Sequence, residues 1–188
     1  MFEIATIILF GFWKYYWHIT EKAADHEKPK SNASSNKSFF RKNFTTIAGI
    51  VILLQFIGWD IFPIPDNALT QLLGVVLVFI GVIVGVSARK SLGANWNHAH
   101  EYQIKKNHEL ITSGIYAFIR HPIYTGLLIS LVGAELVAQS YLFILFLIGG
   151  TYLAVIQGKQ EEKILLAHFG TKYFDYMRRT KMLFPFLI

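Results

Sequence analysis

The chain has 188 residues, of which 53% are hydrophobic and 16% charged, a balance too apolar for an ordinary soluble domain of this length. Cysteine is absent, which excludes disulfide scaffolds, thiolate zinc sites, iron–sulfur clusters and a cysteine nucleophile. The net charge of +6 is the Lys and Arg excess of loops facing the cytoplasm, and no nucleic-acid partner is expected.

Five apolar segments follow in chain order: Phe2–Trp17, Phe44–Trp59, Ala68–Ala88, Ile123–Ala138 and Tyr141–Gln157. None alternates with the period of a barrel strand, so each predicts a membrane-spanning helix, and the whole of 1–188 reads as one all-α, polytopic membrane bundle. The first segment follows no positive region and precedes no small-residue cleavage site, so it is expected to be an uncleaved span. Every Lys and Arg except Lys14 falls in 18–43, 89–122 or the stretch after 157, whereas the connections Asp60–Asn67 and Gln139–Ser140 carry no base. The positive-inside rule then places the amino terminus outside and the C-terminal region in the cytoplasm.

Glu21–Lys37 is polar and free of large apolar side chains, and predicts a flexible cytoplasmic loop. In the third span Gly74, Gly81 and Gly85 include a G-x-x-x-G, which permits close helix approach within one bundle; a monomer or weak dimer is expected. The connection Gln139–Ser140 is short enough to make spans four and five an antiparallel hairpin. That hairpin brings Arg120-His121-Pro122 to the membrane level of Glu161 and Glu162.

Pro122 suits the first turn of a helix, with Arg120 or His121 at its cap, and the unpaired N–H groups there favour an anionic group. The alternative is that Arg120 merely snorkels to the interface. Glu161-Glu162 is expected to open a helix bearing Leu165, Leu166 and Phe169 and stopped by Gly170. Acidic residues in a first turn are explained by the helix dipole alone. As neighbours on a helix the two carboxylates point about 100° apart and need not share a purpose. His98, His100, His108 and His121 match no metal-ligand spacing, so no metal is expected. No glycine-rich nucleotide loop is present. Glu135 lies close enough to the outer end of span four to reach the interface in a structural role.

The run His108-Glu-Leu-Ile-Thr-Ser-Gly-Ile-Tyr-Ala-Phe-Ile-Arg-His-Pro-Ile-Tyr-Thr-Gly126 closely resembles the signature of the isoprenylcysteine carboxyl methyltransferases. Glu161-Glu162-Lys-Ile-Leu165 with Phe169-Gly170, Tyr173 and Tyr176 resembles the same family's second element, and Gly93-Ala-Asn-Trp96 resembles its G-x-x-W. The resemblance covers about residues 92–185. It implies an integral-membrane enzyme that binds S-adenosylmethionine through His108, Leu110, Gly114, Tyr116, His121, Pro122, Tyr124, Glu161 and Glu162, with Arg120, Glu161 and Glu162 as catalytic candidates. The implied acceptor is lipid-like or prenylated and carries a carboxylate that Arg120 would hold. An amine acceptor, as in phospholipid N-methylation, or more distantly a nicotinamide-dependent reduction, is the alternative the wider superfamily offers.

Overall fold

The computed structural model describes residues 1–24, 38–93 and 109–185, and within these the chain is helical. Helices α1 (Phe2–Ala24), α2 (Ser38–Phe56), α3 (Ala68–Leu92), α4 (Pro122–Val137), α5 (Leu142–Phe169) and α6 (Thr171–Arg179) are joined by one 3-10 turn, Gly114–Ala117. Each of the five apolar segments sits on one of the first five helices. Two of them, α3 and α5, are long and apolar enough by themselves to cross a membrane.

The packing is that of a bundle turned outward. Ile4, Ile8, Phe12, Leu73, Phe79, Leu145 and Ile148 are exposed, whereas α4 buries residues along its whole length, from Pro122 to Val137. A helix that is apolar on every face belongs at the centre, and an exterior of Ile, Leu and Phe belongs in lipid. The interior cluster draws Trp13 from α1, Ala48 and Ile52 from α2, Val78 and Val82 from α3, Leu131 and Ala134 from α4, and Phe146 from α5.

The largest helix contact among the described residues is α3 against α4, and glycine sets its closeness. A Cβ on Gly74 would lie 2.6 Å from the carbonyl oxygen of Gly133, and one on Gly126 would lie 2.6 Å from that of Gly81. The small-residue stripe expected of span three is therefore used within the molecule, and its partner stripe is Gly126 and Gly133.

Several boundaries depart from the sequence reading. Residues 21–24 continue α1, and the remainder of the expected Glu21–Lys37 loop lies outside the described residues. The second span stops at Phe56 rather than Trp59, because Gly58 takes φ +98°. Glu161-Glu162 does not open a helix: α5 runs unbroken from Leu142 to Phe169, since no proline interrupts it and Gly158 serves close packing against His121 rather than a break. Gly170 supplies the stop as expected, at φ +56°, its N–H bonded to the Leu166 carbonyl. Glu135 does not reach the interface. It is fully buried, and the Gln55 amide donates to both its oxygens at 3.2 and 3.0 Å, linking α2 to α4.

Candidate active site

The site grows from the entry into α4. His121 is the N-cap and Pro122 the first helical residue, fully buried, as their order predicts. Opposite them the polar extension of α5, beyond the apolar stretch ending at Gln157, carries Glu161 and Glu162 about one turn past Gly158. Gly158 lets the two elements meet: a Cβ there would sit 3.1 Å from His121 Nε2.

Six polar side chains then close on one another. Arg120 Nε donates to Glu162 Oε1 at 2.6 Å, with both side chains more than nine-tenths buried (9% and 8% exposed). His121 Nε2 lies 3.3 Å from the same Glu162 oxygen, and its Nδ1 lies 3.3 Å from Glu161 Oε2. One imidazole thus spans the two carboxylates, which is how neighbours pointing in different directions come to serve one cluster. The Tyr124 hydroxyl donates to Glu161, Gln157 Nε2 donates to the same carboxylate at 3.4 Å, and the Tyr124 ring stacks on His121 at 5.6 Å.

The electrostatics follow from this arrangement. Burial opposes a charge on His121, but hydrogen bonds and attraction from Glu161 and Glu162 outweigh it and raise its pKa above the ordinary value. Burial likewise opposes a charge on Glu162, yet His121 and Arg120 hold it below the usual carboxylate range. Both directions describe a buried, mutually neutralised cluster. Burial pushes the phenols of Tyr173 and Tyr176 on α6 up, so both stay neutral, and the Tyr176 hydroxyl donates to the Tyr116 carbonyl.

Two of the three Arg120 guanidinium nitrogens, Nε and Nη1, are bonded within the protein. Besides Glu162, its Nη1 donates to the carbonyl of Met177 at 3.3 Å and to that of Thr180. Snorkelling to the interface is not what this arginine does. The first-turn dipole explanation of Glu161 and Glu162 also fails, because both lie deep within α5.

The remaining sequence candidates lie on the 3-10 turn and the residues ahead of it. Tyr116 is buried in the 3-10 turn, where its carbonyl accepts from the Tyr176 hydroxyl at 2.7 Å. Gly114 opens that turn at φ +63° and approaches Ser91 of α3, and Leu110 is half-buried ahead of it. His108 lies outside the described residues, as do His98, His100 and Trp96. No group of three metal-ligating side chains occurs among the described residues. Sequence reasoning missed Gln157, recoverable from its i−4 spacing to Glu161. It also missed Thr125, whose hydroxyl donates to the Leu183 carbonyl, and the stretch Thr180–Leu183, whose backbone contacts no side-chain pattern announces.

Among the described residues the site is thus a buried acid–base cluster between paired helices, with no nucleotide-binding sheet. The family model described as phospholipid methyltransferase matches residues 69–172, more than half of the sequence, and the chain belongs to that family. It is similar to the protein-S-isoprenylcysteine O-methyltransferase of Dictyostelium discoideum, 26% identical over 93% of this chain and 72% of that protein. It is also similar to that of Homo sapiens, 29% identical over 76% of this chain and 51% of that protein. The chain spans about half the length of the vertebrate relatives it matches. Its fold is that of the eukaryotic intramembrane Ras methyltransferase, isoprenylcysteine carboxyl methyltransferase, with a TM-score of 0.66 at 20% identity over 97% of this chain and 68% of that one.

Proposed function

We propose that this chain is an integral-membrane methyltransferase that moves a methyl group from S-adenosylmethionine to the carboxylate of a lipid-like, prenylcysteine-type acceptor. One observation carries the reading: the R-H-P turn and the E-E pair, 40 residues apart in sequence, form a single buried network through the His121 ring. Either pair alone has a structural explanation; joined, they build a charged cluster at the mouth of a helical hairpin, where a merely structural bundle would place apolar side chains.

The donor set fits the cofactor. S-adenosylmethionine presents an ammonium and a sulfonium, and Glu161, 25% exposed and the more open of the two carboxylates, is suited to a cation. Glu161, Tyr124 and His121 would hold it, with the segment Leu110–Tyr116 and His108 completing the pocket. When bound, the cofactor supplies an electrophilic methyl group. An acceptor carboxylate, with a free pKa of ~3.3–3.7, arrives ionised and needs no base. The chain's own tasks are then alignment and the exclusion of water. Arg120 contributes by fixing Glu162 and by its positive charge beside the acceptor, and Glu162 in turn fixes His121.

In this reading the five apolar segments are five spans, the amino terminus lies outside, and the cofactor region, about 92–185, faces the cytoplasm. The family description supports a second reading, methylation of an amine headgroup, in which Glu161 would accept the proton an ammonium acceptor must lose. Purified protein in lipid nanodiscs, given S-adenosylmethionine and either N-acetyl-S-farnesylcysteine or phosphatidylethanolamine, tests both. A base-labile methyl ester on the former is expected. Methylation of the amine alone would replace the first reading with the second, and binding of NADPH without S-adenosylhomocysteine would overturn both.

A further inference from the structure

After α6 the backbone turns extended at Thr180, φ −127° and ψ 156°, and the next three residues run alongside the approach to α4. Ile119 and Lys181 form a parallel bridge. Lys181 N–H donates to the Phe118 carbonyl at 3.2 Å, Arg120 N–H to the Lys181 carbonyl at 2.8 Å, and His121 N–H to the Met182 carbonyl at 3.0 Å. These are the last two N–H groups before Pro122, which has none. The N–H groups of Arg120 and His121 are therefore both bonded to this strap, while the His121 carbonyl accepts from the Tyr124 and Thr125 N–H groups in the first turn of α4.

The strap is pinned at its far end by one side chain. Thr125 Oγ1 donates to the Leu183 carbonyl at 2.7 Å, in preference to the His121 carbonyl one turn back at 3.3 Å, the partner a helical threonine ordinarily takes. Thr125, Thr180, Met182 and Leu183 are all buried, Leu183 completely. Met182 sulfur also lies 3.4 Å from where a Gly158 Cβ would stand, so the strap touches α5 on the face that meets His121.

We propose that Thr125, acting through the Leu183 carbonyl, is a positioning residue for methyl transfer: the strap Thr180–Leu183 sets the backbone of Arg120 and His121, and thereby the imidazole between Glu161 and Glu162. This rests on the functional reading above. The chemistry needs those groups held to within a fraction of an ångström, and the strap holds both of the N–H groups that precede Pro122. Thr125→Val keeps the shape and removes the donor; Thr125→Ser keeps the donor.

The test is made on the full chain in nanodiscs, by amide hydrogen exchange at Arg120 and His121 and by steady-state kinetics with N-acetyl-S-farnesylcysteine. In Thr125→Val, exchange at both amides is expected to rise about tenfold, the scale of one buried hydrogen bond, and kcat to fall by about as much while KM changes less than about twofold. Thr125→Ser is expected to restore both. Parental exchange and kcat in the valine variant, or a serine variant that behaves like valine, would overturn the proposal. Should Thr125→Val not fold, Leu183→Ala loosens the same strap, and undisturbed exchange at Arg120 and His121 there would overturn it equally. A parent protein that methylates nothing would remove the functional reading, while the exchange measurement still decides whether the strap anchors the turn.

Discussion

His121 carries the most consequence per atom, because each ring nitrogen faces a different carboxylate and Arg120 and Tyr124 flank the pair. Its raised pKa means that the stability it contributes is fully present below the ordinary value of 6.5 and is lost as pH rises through the raised one. Glu162, lowered, contributes stability that is present above 4.5 and is lost as pH falls through its depressed value. The thermal midpoint should therefore peak between 4.5 and 6.5 and decline on the alkaline side, and His121→Gln should flatten that decline. A parental midpoint that does not change as pH rises above 6.5 would contradict the assignment. For Arg120, lysine keeps a charge but cannot reach Glu162 and the carbonyls of Met177 and Thr180 together. Arg120→Lys should lose both activity and about 1–3 kcal/mol of stability, the cost of leaving buried carbonyls without their donor. An arginine that only grips the acceptor would lose turnover and keep its melting point. The residues themselves were legible in the sequence, since R-H-P and E-E stand out in an apolar chain. Their pairing was legible only as proximity, because which oxygen meets which nitrogen depends on side-chain rotation that no spacing encodes.

At the scale of elements, the helices were written in hydropathy and their ends were not. α3 matched its expected start at Ala68, where Asn67 caps by accepting from Leu69 N–H, whereas α5 overran its apolar segment because polar residues of good helix propensity simply continue it. The α3–α4 contact was half legible: G-x-x-x-G announced a close approach, but the facing stripe at Gly126 and Gly133 has wider spacing and passes unnoticed in a run of leucines. Gly133→Leu should force these helices apart, since even a Cβ would sit 2.6 Å from the Gly74 carbonyl. A loss of about 1–3 kcal/mol or more, or failure to fold, is expected in a thermal-shift assay, with Gly149→Leu as the control on a face where the nearest atom is 3.9 Å away. Helix α2 offers the converse case. Its attachment includes the buried Gln55–Glu135 bond, so Glu135→Ala, which strands the Gln55 amide, should cost about 1–3 kcal/mol. Equal stability of this variant and the parent would show that apolar packing at Ala48 and Ile52 alone holds α2.

For the whole molecule, the distribution of charge and the three-dimensional arrangement bear on topology independently. The two base-free connections lie far apart in sequence, yet the structure brings them together: Gln139 Nε2 donates to the Asn67 carbonyl at 3.1 Å, Ser140 Oγ to that of Ile61 at 2.6 Å, and Tyr141 N–H to that of Phe62 at 2.8 Å. One end of the bundle is thus stitched from connections without a single Lys or Arg. The opposite end holds Arg89, Arg120 and Lys181, with Lys181 bonded into the strap beside the acid–base cluster. If the positive-inside rule holds for this bundle, the end that carries Arg89, Arg120 and Lys181 would face the cytoplasm, and the cluster with it. Reporter fusions after Lys30, Lys105 and Lys181 should all report the cytoplasm, and one at Asp66 the outside. Because Asp66 and Gln139 belong to adjoining connections, a reporter inserted after Gln139 should agree with the one at Asp66 whatever the absolute orientation. Disagreement between those two would break the hairpin of α4 and α5 on which the meeting of Arg120 with Glu162 depends, whereas agreement on the cytoplasmic side would invert the bundle and leave the site intact on the other face of the membrane.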